Sequence, residues 1–298
     1  MSVLSPSGPA EFADALAEVG YLADTGLAAA AFLAVRLRRP LFLEGEPGVG
    51  KTALAGALSR MLGVSLIRLQ CHAGIDVAQA LYEWNFPRQL LCLRALGDTV
   101  DPETATASLY TREFLVARPV LRALEESPAV LLIDEIDRAD DEFEAFLLEV
   151  LESYAVSIPE FGTISANEPP LVVLTSNRTR EVHDAVKRRC IYHWISQPDV
   201  TRETEILRRR LDGLSEQLAH AIAAAMARLR RADLVKPPGV AESLDLARAA
   251  LALGEERLTP ELADAALGTV AKHHEDRATV RRELAPAADG DGTARTWP

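Results

Sequence analysis

Residues 44–56 read EGEPGVGKTALAG. Gly45 and Gly50 bracket four residues, and Lys51 and Thr52 follow, which satisfies the pattern of a phosphate-binding loop. The flanks agree with that reading. Leu41, Phe42 and Leu43 lead in as a short strand, and the chain after Thr52 continues as a helix with Leu54, Leu58 and Met61 on one side. The glycines let the backbone wrap closely, so that N–H groups at a helix N-terminus point at phosphate oxygens. The expected contacts of a bound nucleotide are Gly45, Glu46, Pro47, Gly48, Val49, Gly50, Lys51, Thr52 and Ala53. Lys51 is placed to reach the β- and γ-phosphates, and the Thr52 hydroxyl to ligate Mg²⁺.

A magnesium ion held there needs a second anchor, and AVLLIDEIDRAD (residues 129–140) supplies one. Its apolar run predicts a buried strand, with Asp134 and Glu135 at the carboxyl end, the edge where open α/β sheets bind ligands. Asp134 is the expected Mg²⁺ residue, one strand over from the loop. Glu135 is the expected catalytic carboxylate, orienting and polarising an attacking water. The pair points to hydrolysis of the triphosphate rather than storage. The guanine-reading Asn-Lys-x-Asp pattern is absent from the sequence, which favours ATP. A further strand, LVVLTSNRTRE (residues 171–181), ends in Asn177, whose amide can bond both the γ-phosphate and the water. In AVKRRCIYHW (residues 185–194), Arg188 and Arg189 precede the last apolar run. An arginine supplied to a neighbour's γ-phosphate neutralises charge in the transition state.

The wider sequence frames these motifs. Five short apolar runs (residues 41–43, 64–69, 129–133, 171–175 and 191–195) alternate with helical patterns, which predicts a parallel sheet covered on both faces. Residues 1–10 read as loose, residues 11–38 as two helices broken near Gly20, and residues 140–153 as a helix capped by Asp140. Past about residue 197 strand signals vanish. Helices are expected over residues 201–232, 241–253 and 259–273, then a disordered tail over residues 281–298. Cys71, Cys92 and Cys190 form no CxxC pair, and their odd number argues against a disulfide framework. A metal site built on Cys71 and His72, or on Cys190 and His193, would need four converging ligands. The first basic residue is Arg36, and the apolar run near residues 26–35 is too short to span a bilayer, so a cytoplasmic protein is expected. A net charge of −12 without a long basic run repels nucleic acid.

Taken in order, the phosphate loop, acidic pair, strand-tip asparagine, arginine and all-helical domain resemble the AAA+ ATPases, and within them the MoxR family, CoxD-like branch. The finer match lies in DVAQALYEWNFPRQLL (residues 76–91), LLIDEIDRADDEFEAFLLEVLE (residues 131–152), VLTSNRTREVHDAVKRRC (residues 173–190) and KPPGVAESLD (residues 236–245). The resemblance implies a five-stranded P-loop NTPase core over residues 1–197, with N-terminal helices, and an all-helical lid over residues 198–280. It implies Thr52 and Asp134 as magnesium residues, Glu135 as catalytic glutamate, Asn177 as sensor 1, and Arg189, with Arg188 as the alternative, as arginine finger. It further implies a hexameric homo-oligomer ring acting as a chaperone-like motor, with a von Willebrand factor A domain partner and a client metalloenzyme. The rival is an AAA+ ATPase that remodels nucleic acid, against which the acidic balance argues. The family's sensor-2 arginine has no counterpart at the expected place in residues 239–243; either lid closure on the γ-phosphate is weaker or Arg248 serves instead. Residues 155–170 are expected to form a hairpin in which Val156 and Ile158 face Thr163 and Ile164. Tyr82, Trp84, Phe86 and Arg88 are candidates to line a substrate path.

Overall fold

The structure, a computed structural model, describes residues 6–96 and 108–284. By their contacts these residues form two units, one within Met1–Gly45 and Gly50–Ile195, the other within Glu46–Val49 and Ser196–Pro298. The first unit runs α1 (Pro9–Glu18), α2 (Thr25–Leu37), β1 (Leu41–Gly45), α3 (Lys51–Leu62), β2 (Ser65–Gln70), α4 (Val77–Ala80), β3 (Tyr82–Trp84) and α5 (Phe86–Leu96). It continues with β4 (Leu115–Ala117), α6 (Pro119–Glu125), β5 (Ala129–Asp134), α7 (Asp141–Ser153), β6 (Ala155–Ile158), β7 (Gly162–Ser165), β8 (Leu171–Ser176), α8 (Asp184–Arg189) and β9 (Ile191–Ile195).

The five strands expected from the apolar runs form one parallel sheet in the order β2-β5-β8-β1-β9. Every residue of β1 and β5 is buried, as is nearly all of β8, because the central strands are covered on both faces; that is why their sequences are unbroken apolar runs. The edge strands are more open: β2 is exposed but for Ile67 and Leu69, and β9 alternates half-buried with exposed positions up to buried Ile195. One expectation changes here. β8 stands between β1 and β5, so the acidic pair lies two strands from the phosphate loop, and the strand carrying Asn177 separates them.

Local details follow from capping and burial. α1 starts at Pro9, so residues 9 and 10 are helical rather than loose, anchored by buried Phe12 and Leu16. The Asp24 carboxylate accepts the Leu27 N–H at 2.7 Å and starts α2, and Asp140 does the same for α7 through the Phe143 N–H at 3.0 Å. Buried Phe143, Leu147, Val150 and Leu151 lie on one face of α7 and join the core of this unit. The hairpin forms as β6–β7, with Val156 opposite Ile164 as expected. Ile158, however, pairs with Gly162 rather than Thr163, because the tip residue Glu160 takes a left-handed conformation (φ 62°) and tightens the turn.

Described residues of the second unit beyond Ser196 are helical: α9 (Val200–Arg210), α10 (Glu216–Leu229), α11 (Val240–Leu253), α12 (Pro260–Ala265), α13 (Leu267–Val270) and α14 (Arg277–Leu284). Two helices expected to be continuous are broken. Gly213 (φ 82°) ends the α9 turn and the Ser215 hydroxyl caps α10 through the Leu218 N–H, so residues 201–232 split. Within residues 259–273 the Thr269 hydroxyl donates to the Ala266 carbonyl at 2.7 Å, a local bond that competes with the helix ladder where α12 gives way to α13. The expected tail also begins later: residues 281–284 belong to α14, held by buried Val280 and Leu284, and residues 285–298 lie outside the described residues.

The loop segment Glu46–Val49 clusters with this unit. The Val240 N–H donates to the Gly48 carbonyl at 3.2 Å, and a Cβ on Gly239 would lie 2.8 Å from the Pro47 carbonyl oxygen. Only glycine permits that approach. Residues 239 and 240 thus meet the segment Glu46–Val49 of their own unit backbone to backbone. Arg248 is exposed and paired with Asp245 at 2.9 Å.

Three helices of this unit are tied by one buried carboxylate. Glu203 on α9 is fully buried and accepts two bonds from the Arg230 guanidinium, at 2.6 and 2.7 Å, and a third from the Ser243 hydroxyl on α11. Arg230, just past α10, also donates to the Pro238 carbonyl at 2.9 Å. Glu203→Ala is expected to destabilise the helical unit by about 3–5 kcal/mol, the scale for removing one partner of a buried pair. A urea unfolding curve with an unshifted midpoint would contradict this.

Candidate active site

The phosphate loop leaves β1 and ends at Gly50, whose φ of 97° only glycine adopts cheaply; this conformation turns the chain into α3. Tyr21, from the turn between α1 and α2, donates its hydroxyl to the Gly50 carbonyl at 3.4 Å. Lys51 opens α3, is buried, and its Nζ donates to the Gly45 carbonyl at 2.7 Å, so the ammonium lies across the mouth of the loop. Thr52 is the next residue, and its hydroxyl is 3.0 Å from Asp134 Oδ1 at the tip of β5. A hydroxyl and a carboxylate oxygen meeting beside a lysine-closed loop form an all-oxygen donor set that fits Mg²⁺ and a triphosphate. Thr52 and Asp134, 82 positions apart in sequence, meet here.

Asp134 has further partners that no local pattern announces. Its Oδ1 accepts a hydrogen bond from the Thr175 hydroxyl at 2.5 Å, and its Oδ2 one from the Arg68 guanidinium at 2.6 Å. Glu135 follows in a left-handed conformation (φ 56°, ψ 50°), rare for a side chain of this kind and typical of strained functional turns. The Thr175 hydroxyl accepts the Glu135 N–H at 2.9 Å and holds that turn. Three donors orient the Glu135 carboxylate: Gln70 Nε2 at 3.1 Å, Arg138 Nε at 3.0 Å and Asn177 Nδ2 at 3.4 Å. Thus the catalytic candidates Glu135 and Asn177 are in contact, next to the magnesium pair.

Comparison with known proteins agrees with this geometry. Residues 40–190, about half of the chain, match the family described as AAA domain (dynein-related subfamily). The chain belongs to this family. ATP hydrolysis with Mg²⁺ is the chemistry of such AAA ATPases. A 48-residue stretch is 44% identical to Midasin from Giardia intestinalis, covering 16% of this chain and 1% of that protein, so the chain spans about one hundredth of the length of this relative. Among solved structures, a point mutant of RuvB from Thermotoga maritima has a TM-score of 0.50 at 18% identity, covering 88% of this chain and 72% of that one. The structure described as the Thermotoga maritima RuvB Holliday junction branch migration motor scores 0.45 at 16% identity, covering 90% and 73%. The likeness to RuvB is one of fold.

Other residues of this AAA chain sit as follows. Arg188 and Arg189 end α8, and among the described residues neither side chain bonds Asp134 or Glu135. Arg188 is exposed, and Arg189 pairs with Glu152 at 2.9 Å. Trp84 is buried, with its ring against Tyr110 and Tyr82, so it packs within the unit rather than facing solvent; Phe86 and Arg88 are exposed. Burial pushes the Cys71 and Cys190 thiols up to about 12, aided at Cys71 by the nearby Asp134, Asp137 and Glu135. Among the described residues no group of three or more His, Cys, Asp or Glu is arranged to hold a metal ion, and no helix is long and apolar enough to cross a membrane. Sequence reading missed Arg68, Gln70, Asp137 and Thr175. Polar residues alternating at the end of β2, and a threonine closing an apolar run, were the available signals. Lys51→Ala is expected to abolish ATP binding, since it removes the ammonium that closes the loop; full affinity by calorimetry would refute its role.

Proposed function

We propose that this AAA protein is a Mg-ATP-hydrolysing motor of MoxR type that remodels or activates a partner enzyme. The observation that carries the hydrolytic part is the contact of Glu135 with Asn177 at 3.4 Å, beside the Thr52–Asp134 pair. In this reading the loop amides and Lys51 hold the phosphates. Thr52 and Asp134 hold Mg²⁺, which when bound draws negative charge from the phosphate oxygens. Glu135 orients the attacking water and takes its proton, and Asn177 steadies both water and carboxylate.

The arginines belong to the same reading. Arg189, or Arg188 beside it, serves the site of the neighbouring subunit in a ring, a hexamer by the MoxR likeness. Its pairing with Glu152 rather than with its own acidic turn supports service in trans. Residues 198–280 act as the lid. A von Willebrand factor A domain protein and a metalloenzyme client in the cytoplasm complete the proposal, on the strength of residues 76–91, 131–152, 173–190 and 236–245. A nucleic-acid substrate is disfavoured by the net charge of −12.

Two results test this function. Glu135→Gln is expected to retain ATP binding and to release phosphate at least ~100-fold more slowly, the scale of acid–base catalysis; undiminished release removes Glu135 from its role. Arg189→Ala subunits are expected to be inactive alone, while rings mixed with Glu135→Gln subunits regain turnover. If the Arg189→Ala protein works normally by itself, the finger is not at this position.

A further inference from the structure

Asp137 is a buried carboxylate that the mechanism above does not use. It lies in the short turn Ile136–Arg138 after β5 and is 3% exposed. Its Oδ1 accepts the Asn177 N–H at 3.2 Å; its Oδ2 accepts the Thr179 N–H at 2.9 Å and the Thr179 hydroxyl at 2.6 Å. The Thr179 hydroxyl also lies 3.4 Å from the Asp137 carbonyl oxygen. All these donors belong to the loop that follows β8 and carries Asn177.

Of the other carboxylates buried to this depth, Glu44, Asp134, Glu144 and Glu203 are each paired with a cation (Lys187, Arg68, Arg180 and Arg230), and Asp276, in the helical unit, accepts the Val235 and Lys236 N–H groups. Among the described residues no lysine or arginine pairs with Asp137. Its charge is met by neutral donors of one loop. Displacing that loop would leave a buried charge without partners, which costs far more than losing an exposed hydrogen bond. The loop is therefore stiff where Asn177 leaves it. The same asparagine bonds Asp137 through its backbone and Glu135 through its side chain, so both contacts cross the same two strand tips.

We propose that Asp137 is the positioning residue for Asn177, tying the β8 tip to the acidic turn so that the Asn177 amide and the Glu135 carboxylate act as one unit. This rests on the roles given to Asn177 and Glu135 above. Asp137 acts through Asn177. Burial would raise its carboxyl, yet the bonds from Thr179 and Asn177 outweigh that and hold it below its usual value, consistent with a carboxylate whose donors are firmly in place.

Asn at this position keeps the shape but turns an NH₂ group toward an N–H donor, so one side of the clasp opens. In the full chain, Asp137→Asn is expected to lower kcat for ATP by about tenfold or more while KM stays within about threefold, as misplacement of a catalytic group does. Combined with Asn177→Ala, it should change kcat by less than about twofold further, since residues acting through one another are not additive. Unchanged kcat, a KM that rises in step, or fully additive losses would overturn the proposal. Should Asp137→Asn fail to fold by circular dichroism, Thr179→Val carries the same test. It removes one donor, and its loss of kcat must vanish in the Asn177→Ala background; a normal kcat overturns the role. The site reading is judged separately. If Glu135→Gln turns over normally, that reading falls; if Glu135→Gln is dead while Asp137→Asn and Thr179→Val are normal, only the positioning role falls.

Discussion

The Thr175 hydroxyl serves two strands at once. It donates to Asp134 and accepts from the Glu135 N–H, and both bonds lie where β5 and β8 emerge from the sheet. Their register, Val130 opposite Leu171 through Ile133 opposite Leu174, puts Thr175 one step past the last pair. Side chains alternate with a period of two, so a slip of one residue would turn this hydroxyl to the other face and leave a buried carboxylate and an amide without it. The apolar interior that makes β5 and β8 pair is thus also what aims the polar tip.

Four of the buried carboxylates contrast in how their charge is met. Glu144 and Glu203 pair with arginines and tie helices or loops of their own unit; Arg180 also bonds the Ala139 carbonyl, and Glu144 accepts the His183 N–H at 2.8 Å. Asp134 and Asp137 draw on hydroxyls and backbone N–H groups from the neighbouring strand and its loop, with Arg68, half exposed, added at Asp134. Ion pairs of the first kind fix architecture at a high desolvation cost. Bonds of the second kind place individual atoms.

Much of this was legible in the sequence, for physical reasons. A phosphate loop is local: its glycines, lysine and threonine are contiguous, and their spacing is the mechanism. Fully buried strands announce themselves as unbroken apolar runs, which is why β1, β5 and β8 could be read directly. The order of strands could not, because pairing depends on contacts between distant segments; hence β8 between the loop and the acidic pair was unexpected. The bonds of Arg68, Gln70, Asp137 and Glu203 were equally silent, since a polar residue in a strand end or helix looks the same whether it faces water or a partner. The helix break at Gly213 and the helix Arg277–Leu284 were readable in principle, from one glycine and from Val280 and Leu284 four apart, but each signal is short.

Glu135 occupies a backbone conformation that L-residues avoid, at a cost of roughly 1–2 kcal/mol. Glycine there would relax the main chain and leave no carboxylate; asparagine would ease it only in part. Under the role proposed for Glu135, selection for a hardier protein and selection for a faster one pull in opposite directions at this single position. On that reading, a thermostabilised descendant that gained its robustness here would be a well-folded protein that has given up its trade.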